Sequence, residues 1–153
     1  MRHIVLGFLA LLAAAAPAAA VTVRDCNDDE ATASARNIVE PWERNTRTFY
    51  NGRVRAALLD TGGEPACCSL HLLVISPSTE AENGYQFCHL VSDHDNFGFG
   101  EIDFAKLAAA YDAKRGLKIT FPFNISDGNG GTPAPGFAKL WLNLAKGTLT
   151  VEK

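Results

Sequence analysis

The chain has 153 residues, 14 basic against 17 acidic side chains and a formal charge of −3 with histidine neutral. That length fits one domain that buries its own hydrophobic core without metals or a dense disulfide framework. The acidic balance excludes a general nucleic-acid binder, whose affinity comes from neutralising phosphates.

The hydrophobicity is concentrated at the N-terminus. Arg2 and His3 precede an apolar run, Ile4–Ala16, and then come Pro17 and the small residues Ala18, Ala19 and Ala20. A positive end, an apolar centre and a small-residue cleavage site make up a secretory signal peptide, here residues 1–20. The apolar run falls short of the about 20 residues that a membrane span needs. Cleavage after Ala20 removes one basic side chain and no acidic one, so the remaining chain is more acidic than the whole. The expected destination is periplasmic or extracellular, with no membrane span after cleavage.

Residues 21–45 read as a polar N-terminal strap, and residues 46–153 as a β-rich domain. Within the strap, Asp29–Val39 has the composition of a short helix, ended by Pro41, which disfavours helical geometry in the residue before it. Asn51-Gly52 is a strong signal for a two-residue type I′ turn, because both central positions need positive φ. It joins strand Thr46–Tyr50 to strand Arg53–Asp60. Cys68–Ile75 and Tyr85–Ser92 are the next strands, each apolar on both faces, a pattern of strands covered on both sides. Turning that pair near residue 80 sets Leu72 opposite Cys88 and His71 opposite His89.

Phe104, Leu107, Ala108 and Tyr111 recur at helical spacing, which predicts a helix over Asp103–Arg115 with Asp103 as N-cap and Gly116 just past the end. Leu117–Ile125 alternates cleanly, with Leu117, Ile119, Phe121, Phe123 and Ile125 on the inner face. Pro122 cannot donate to a ladder, which favours an edge strand or a nitrogen that points away from the partner. Asp127–Gly136 is rich in glycine and proline and reads as a loop. Ala138–Leu144 is the next strand, and a turn at Lys146-Gly147 pairs Leu144 with Leu149 and Leu142 with Val151. The sum is a small antiparallel β-sandwich of about seven strands with one helix. The alternative is a single curled antiparallel sheet with the helix packed on one face.

Export places the four cysteines, Cys26, Cys67, Cys68 and Cys88, in an oxidising compartment where disulfides form. Three complete pairings are open. In the register above Cys68 is too far along from Cys88 to bridge it. The expected bond is therefore from Cys26 to Cys67 or Cys68, pinning the strap to the sheet. Adjacent cysteines lack the two-residue spacing of redox or zinc motifs.

The same register brings His71 and His89 together, with Asp93, His94 and Asp95 close by. Imidazole and carboxylate are ligands for zinc or copper, so these five residues are the candidate metal set. Asp93–Gly98 has part of a calcium-loop pattern but lacks the later oxygen ligands. Phe97-Gly98-Phe99-Gly100 lacks the lysine of a phosphate loop and fits a bulged strand. Around the first hairpin Trp42, Arg47, Tyr50, Arg53 and Arg55 combine aromatics with cations, which are typical binding hot spots and form the candidate partner face. There is no glycine-flanked serine elbow and no zinc-protease helix. Glu101 and Asp103, on one side of an extended segment, are the nearest thing to an acid pair.

The sequence points to an exported binding or interaction module for an unidentified protein or small ligand, with no cofactor. A metal-binding protein using zinc or copper is the first alternative class. An enzyme whose site the sequence does not disclose is the second.

Overall fold

The computed structural model describes residues 21–62, 67–77, 85–94, 97–125 and 132–152. They form ten strands: β1 (Thr22–Asp25), β2 (Thr46–Phe49), β3 (Val54–Asp60), β4 (Leu70–Pro77), β5 (Gln86–Ser92), β6 (Glu101–Ile102), β7 (Ala108–Asp112), β8 (Gly116–Ile125), β9 (Ala134–Asn143) and β10 (Thr148–Val151). One helical turn, α1 (Trp42–Asn45), precedes β2. All pairings are antiparallel. One sheet runs β1-β5-β4-β3-β2, and the other runs β10-β9-β8-β6 with β7 also on β8. The two sheets face each other as a small β-sandwich, its core built from alternate residues of both.

Period-two alternation accounts for that core. Val54, Ala56 and Leu58 of β3 and Leu72 and Val74 of β4 meet Ile119, Phe121 and Phe123 of β8 and Leu140 and Leu142 of β9. Phe99 stands at the centre, fully buried, edge-on to Phe121 and tilted against Phe123 at 4.7 Å between ring centroids. A second cluster lies on the outer face of the first sheet, where Leu59, Leu73 and Leu90 are covered by Cys26, Ala33 and Ile38 of the N-terminal segment. This cover explains why β4 and β5 are apolar on both faces.

That N-terminal segment is more regular than a strap. Thr22–Asp25 pairs with β5, Thr22 opposite Ser92 and Asp25 opposite His89. The helix expected over Asp29–Val39 does not form. A 3-10 turn spans Ala35–Asn37, Asn37 reaches the carbonyls of Ala31 and Thr32, and Ile38 bridges to Leu59. Covering the outer cluster requires Ala33 and Ile38 to face the sheet, and docking on it outweighs a weak local propensity.

The helix expected over Asp103–Arg115 is also replaced. A 3-10 turn over Phe104–Lys106 leads into β7, which pairs with β8 from Ala108 opposite Thr120 to Asp112 opposite Gly116. Phe104 and Leu107 are buried as the helical pattern required. The following alanines bury little as a helix, whereas the open edge of β8 offers a row of backbone partners. The Asp103 side chain makes no capping hydrogen bond, and Gly116 instead starts β8 at φ 100°.

β6 and β7 are two halves of one edge strand on β8. Residues 103–107 stand against only Phe121 and Pro122, so the chain bulges between Ile102 opposite Phe123 and Ala108 opposite Thr120. The Pro122 carbonyl accepts from the Asp103 N–H, which places the ring nitrogen on the same side, facing the gap. β8 is thus an inner strand, and its proline is tolerated because the neighbour is interrupted where its donor is missing.

The turns follow the same logic. Asn51 and Gly52 have φ 55° and 81°, and the Arg53 N–H closes on the Tyr50 carbonyl, as a type I′ turn requires. At the last hairpin the Asn143 side chain accepts from the N–H groups of Ala145 and Lys146, both at 3.1 Å, making a wider turn than Lys146-Gly147 alone. The register moves by two residues, with Leu149 opposite Leu142 and Val151 opposite Leu140. An even shift keeps the same side chains inward. β9 also begins earlier than expected, with Ala134–Gly136 already paired to β8. The rest of the expected Asp127–Gly136 loop, up to Gly131, lies outside the described residues.

Candidate ligand-binding end of the sandwich

Three hairpin turns meet at one end of the sandwich: the Asn51-Gly52 turn, the Ala113–Gly116 turn and the Leu144–Ala145 turn. Together they line a cleft of about 420 Å³ with Tyr50, Tyr111, Lys114, Arg115 and Asn143 at its rim. Tyr50, just after β2, and Tyr111, in β7, stack across the seam between the two sheets with ring centroids 6.1 Å apart. They remain 40% and 62% exposed, so the stack presents aromatic surface rather than filling a core. The Arg53 guanidinium lies 5.9 Å from the Tyr50 ring. Asp112 shapes the second turn by accepting from the N–H groups of Lys114 and Arg115, both at 2.8 Å, and these bonds hold its carboxyl below the usual range. Lys114 is exposed and has no ion-pair partner among the described residues.

Arg115 has a second role. Its guanidinium sits 3.8 Å from the Trp141 ring and bonds Glu152 at 2.9 Å, while the Trp141 indole donates to the same carboxylate at 3.1 Å. Lys118 completes the group at 3.4 Å. The indole bond and then Arg115 keep the Glu152 carboxyl low. Trp141, on the outer face of β9, is therefore roofed by cations.

The five residues of the expected partner face divide. Tyr50 and Arg53 belong to the cleft end. Trp42 is 55% exposed but lines a separate open hollow with Glu40, Pro41 and Glu43. Arg47 points to the 3-10 turn, donating to the carbonyls of Phe104 and Ala105 at 3.4 and 3.3 Å and lying over the Phe104 ring. It ties the first sheet to the bulge of the second. Arg55 is exposed, on the face of β3 opposite to buried Val54 and Ala56. Tyr111, Lys114 and Asn143 were not anticipated. The signal for them lies in two turn motifs, Asp112 to Arg115 and Asn143 to Gly147, the first of which also fits the end of a helix.

The expected metal set does not assemble as drawn. In the β4–β5 ladder Leu72 faces Val91 and His89 faces Val74, a three-residue shift from the expected register. An odd shift puts His71 and His89 on opposite faces of the sheet. Both strands are apolar on both faces, so their hydrophobic pattern could not choose between registers. His71 is buried beneath the N-terminal segment with Nδ1 2.9 Å from the Ser92 hydroxyl. Burial is the main cause that pushes its pKa down to about 4, with Arg24 adding to it. His89 donates from Nε2 to the Gly147 carbonyl at 2.8 Å. Among the described members of the set only Asp93 and His94 touch, at 2.8 Å, with the His94 ring stacked on Phe97. Asp95 lies outside the described residues. Among the described residues no three His, Cys, Asp or Glu side chains converge as metal ligands.

The acid pair is likewise occupied locally. Glu101 accepts from the Asn124 side chain, and Asp103 pairs with Lys106 at 2.7 Å, which holds the Asp103 carboxyl low and the Lys106 amine high.

Cys26 bonds Cys88, with Cα atoms 5.4 Å apart, rather than Cys67 or Cys68. The true register puts Cys88 opposite Ile75 on the outer face, beside Cys26. The strap is pinned as expected, through a different partner. Closing a loop with a sequence separation of 62 removes about 4 kcal/mol of chain entropy from the unfolded state. Cys67 and Cys68 bond each other across one peptide, a loop so short that the same reasoning gives only about 1 kcal/mol. Cys68 adopts φ 71°, a left-handed conformation that costs a non-glycine residue about 1–3 kcal/mol.

No helix among the described residues is long and apolar enough to cross a membrane. No protein family, curated protein or solved structure matches this chain.

Proposed function

We propose that the protein is a small exported binding module and that its ligand is a small anion carrying a ring or another flat apolar face, held at the three-turn end of the sandwich. The observation that carries this reading is the exposed Tyr50–Tyr111 stack beside Lys114 and Arg115 around one cleft. A volume of about 420 Å³ falls in the range of about 300–1,000 Å³ that small ligands occupy. Tyrosine offers a rigid apolar surface with a polar tip, a combination favoured where one side of a contact is wet. With Arg115 paired to Glu152, the cations Arg53, Lys114 and Lys146 in or beside these turns still outnumber the one nearby carboxylate, Asp112, a local excess of positive charge on a chain whose net charge is −3. Such a field draws anions to the site. Export is supported by the order of residues 1–20 and by the Cys26–Cys88 bond, which belongs in an oxidising compartment.

The test is an amide-resolved NMR titration of the mature chain with aromatic carboxylates and with uronic-acid and sulfated oligosaccharides. Saturable shifts should appear at Ala113–Gly116 and at Leu144–Ala145, weaken with added salt and vanish in Tyr111→Ala/Lys114→Ala. Shifts that are absent at millimolar probe, or that survive in the double variant, would overturn the reading.

A further inference from the structure

The Cys67–Cys68 bond holds no distant segments together, yet it sits where two parts of the chain are clasped. We propose that it is a thiol–disulfide exchange site, opened by a dithiol reductant while Cys26–Cys88 stays closed, and that opening it releases the Phe97–Phe99 segment.

Three observations lead there. The first is loop length. A bridge with a sequence separation of 1 restrains the unfolded chain far less than one with a separation of 62, so the two disulfides cannot serve the same purpose. The second is access. Cys67, Cys68 and Cys88 are all half-buried, whereas Cys26 is buried against the outer cluster, so only the Cys67–Cys68 bridge, just before β4, has both of its cysteines partly open to solvent. The more accessible bridge is the one that exchanges. The third is what the ring touches. The Cys68 carbonyl accepts from the Gly98 N–H at 2.7 Å, and Leu70 and Phe99 then exchange backbone bonds at 2.7 and 3.3 Å. A side chain at Gly98 would run into the Cys68 and Leu70 backbone, so the two strands of the clasp lie in close contact. Cys68 makes its bond from a positive φ that cysteine rarely adopts, and an open dithiol leaves it free to move to an ordinary conformation.

The exchange is a two-electron step. A thiolate of the reductant attacks one sulfur of the Cys67–Cys68 bond, forming a mixed disulfide and expelling the other sulfur as a thiolate, which takes up a proton. The second thiol of the reductant then closes its own disulfide, leaving Cys67 and Cys68 as thiols. The segment that the clasp holds begins at Phe97, 55% exposed and stacked on His94, which in turn bonds Asp93. Redox state therefore sets how these three side chains are displayed.

The test exposes the folded full chain to graded dithiothreitol, followed by alkylation and peptide mass mapping, with hydrogen exchange of the Gly98 amide read in parallel. Cys67 and Cys68 should be alkylated together at a dithiol concentration at least about tenfold below that for Cys26 and Cys88. Gly98 exchange should accelerate by at least about tenfold at the same point, as expected when a protecting hydrogen bond opens. The variant Cys67→Ser/Cys68→Ser should show the fast Gly98 exchange without reductant. Simultaneous opening of both bridges, free thiols at Cys67 and Cys68 before reduction, or opening without a change at Gly98 would each overturn the proposal.

Discussion

His71 gives the sharpest test of how this sandwich is built. The ring is 2% exposed and packs on the outer face of the first sheet, across from Leu59 in β3 and beside Ser92 in β5. Arg24 from β1 disfavours its charged form, while Asp29 and Asp60 favour it and only partly offset burial, so the pKa falls from 6.5 to about 4. In the unfolded chain the ring takes up its proton as pH drops below 6.5, while the folded chain resists until about 4. The stabilisation from a neutral buried His71 is therefore complete above pH 6.5 and is lost progressively as pH falls to about 4. At about 1.4 kcal/mol per unit, the loss is about 3 kcal/mol, a large part of the about 5–15 kcal/mol that holds a domain folded.

Urea unfolding at several pH values between 7.5 and 4 measures this, with His71→Gln as the comparison. Glutamine keeps a hydrogen-bonding group near the Ser92 hydroxyl but does not titrate in this range. The variant is expected to be less stable at pH 7.5 and to lose about 3 kcal/mol less than the native chain on going to pH 4. Carboxylates such as Asp29 act in both proteins and cancel. Parallel pH profiles for the two proteins, or an imidazole midpoint near 6.5 by NMR in the folded state, would refute the assignment of His71 as a buried neutral group.

Replacing Cys26 and Cys88 by alanine should cost about 4 kcal/mol in chemical denaturation, the entropy of the loop they close. Gly116→Ala should cost more than about 2 kcal/mol by thermal melting, because the new methyl meets the Leu142 carbonyl and φ is 100°. Gly52→Ala, with open space around it and φ 81°, should cost only about 1 kcal/mol. Tyr111→Ala/Lys114→Ala should leave the unfolding free energy within about 0.5 kcal/mol of the native value per side chain, since both residues are exposed; a larger loss would make the stack structural rather than a ligand surface.

Where one face of a strand is apolar and the other polar, the sequence alone determined the outcome. Leu117–Ile125 shows this, with alternating residues buried as their pattern demands. Local turn chemistry was equally decisive at Asn51-Gly52, because few residues tolerate positive φ. The sandwich class and the inward faces of β9 and β10 followed from the same local rules. Tertiary structure decided three things. The β4–β5 register is one, since strands apolar on both faces satisfy either alignment. The contacts that accompany the observed one are the Cys26–Cys88 bond and the His71–Ser92 hydrogen bond, both made across chain segments. The second is β7, whose helical spacing of Phe104, Leu107 and Tyr111 was real but yielded to the open edge of β8, where backbone pairing was worth more than a helix of alanines. The third is the cleft, because Tyr50, Tyr111, Lys114 and Asn143 come from three turns far apart in sequence. Local patterns fix which way a side chain points; only the packing of the two sheets fixes which side chains meet.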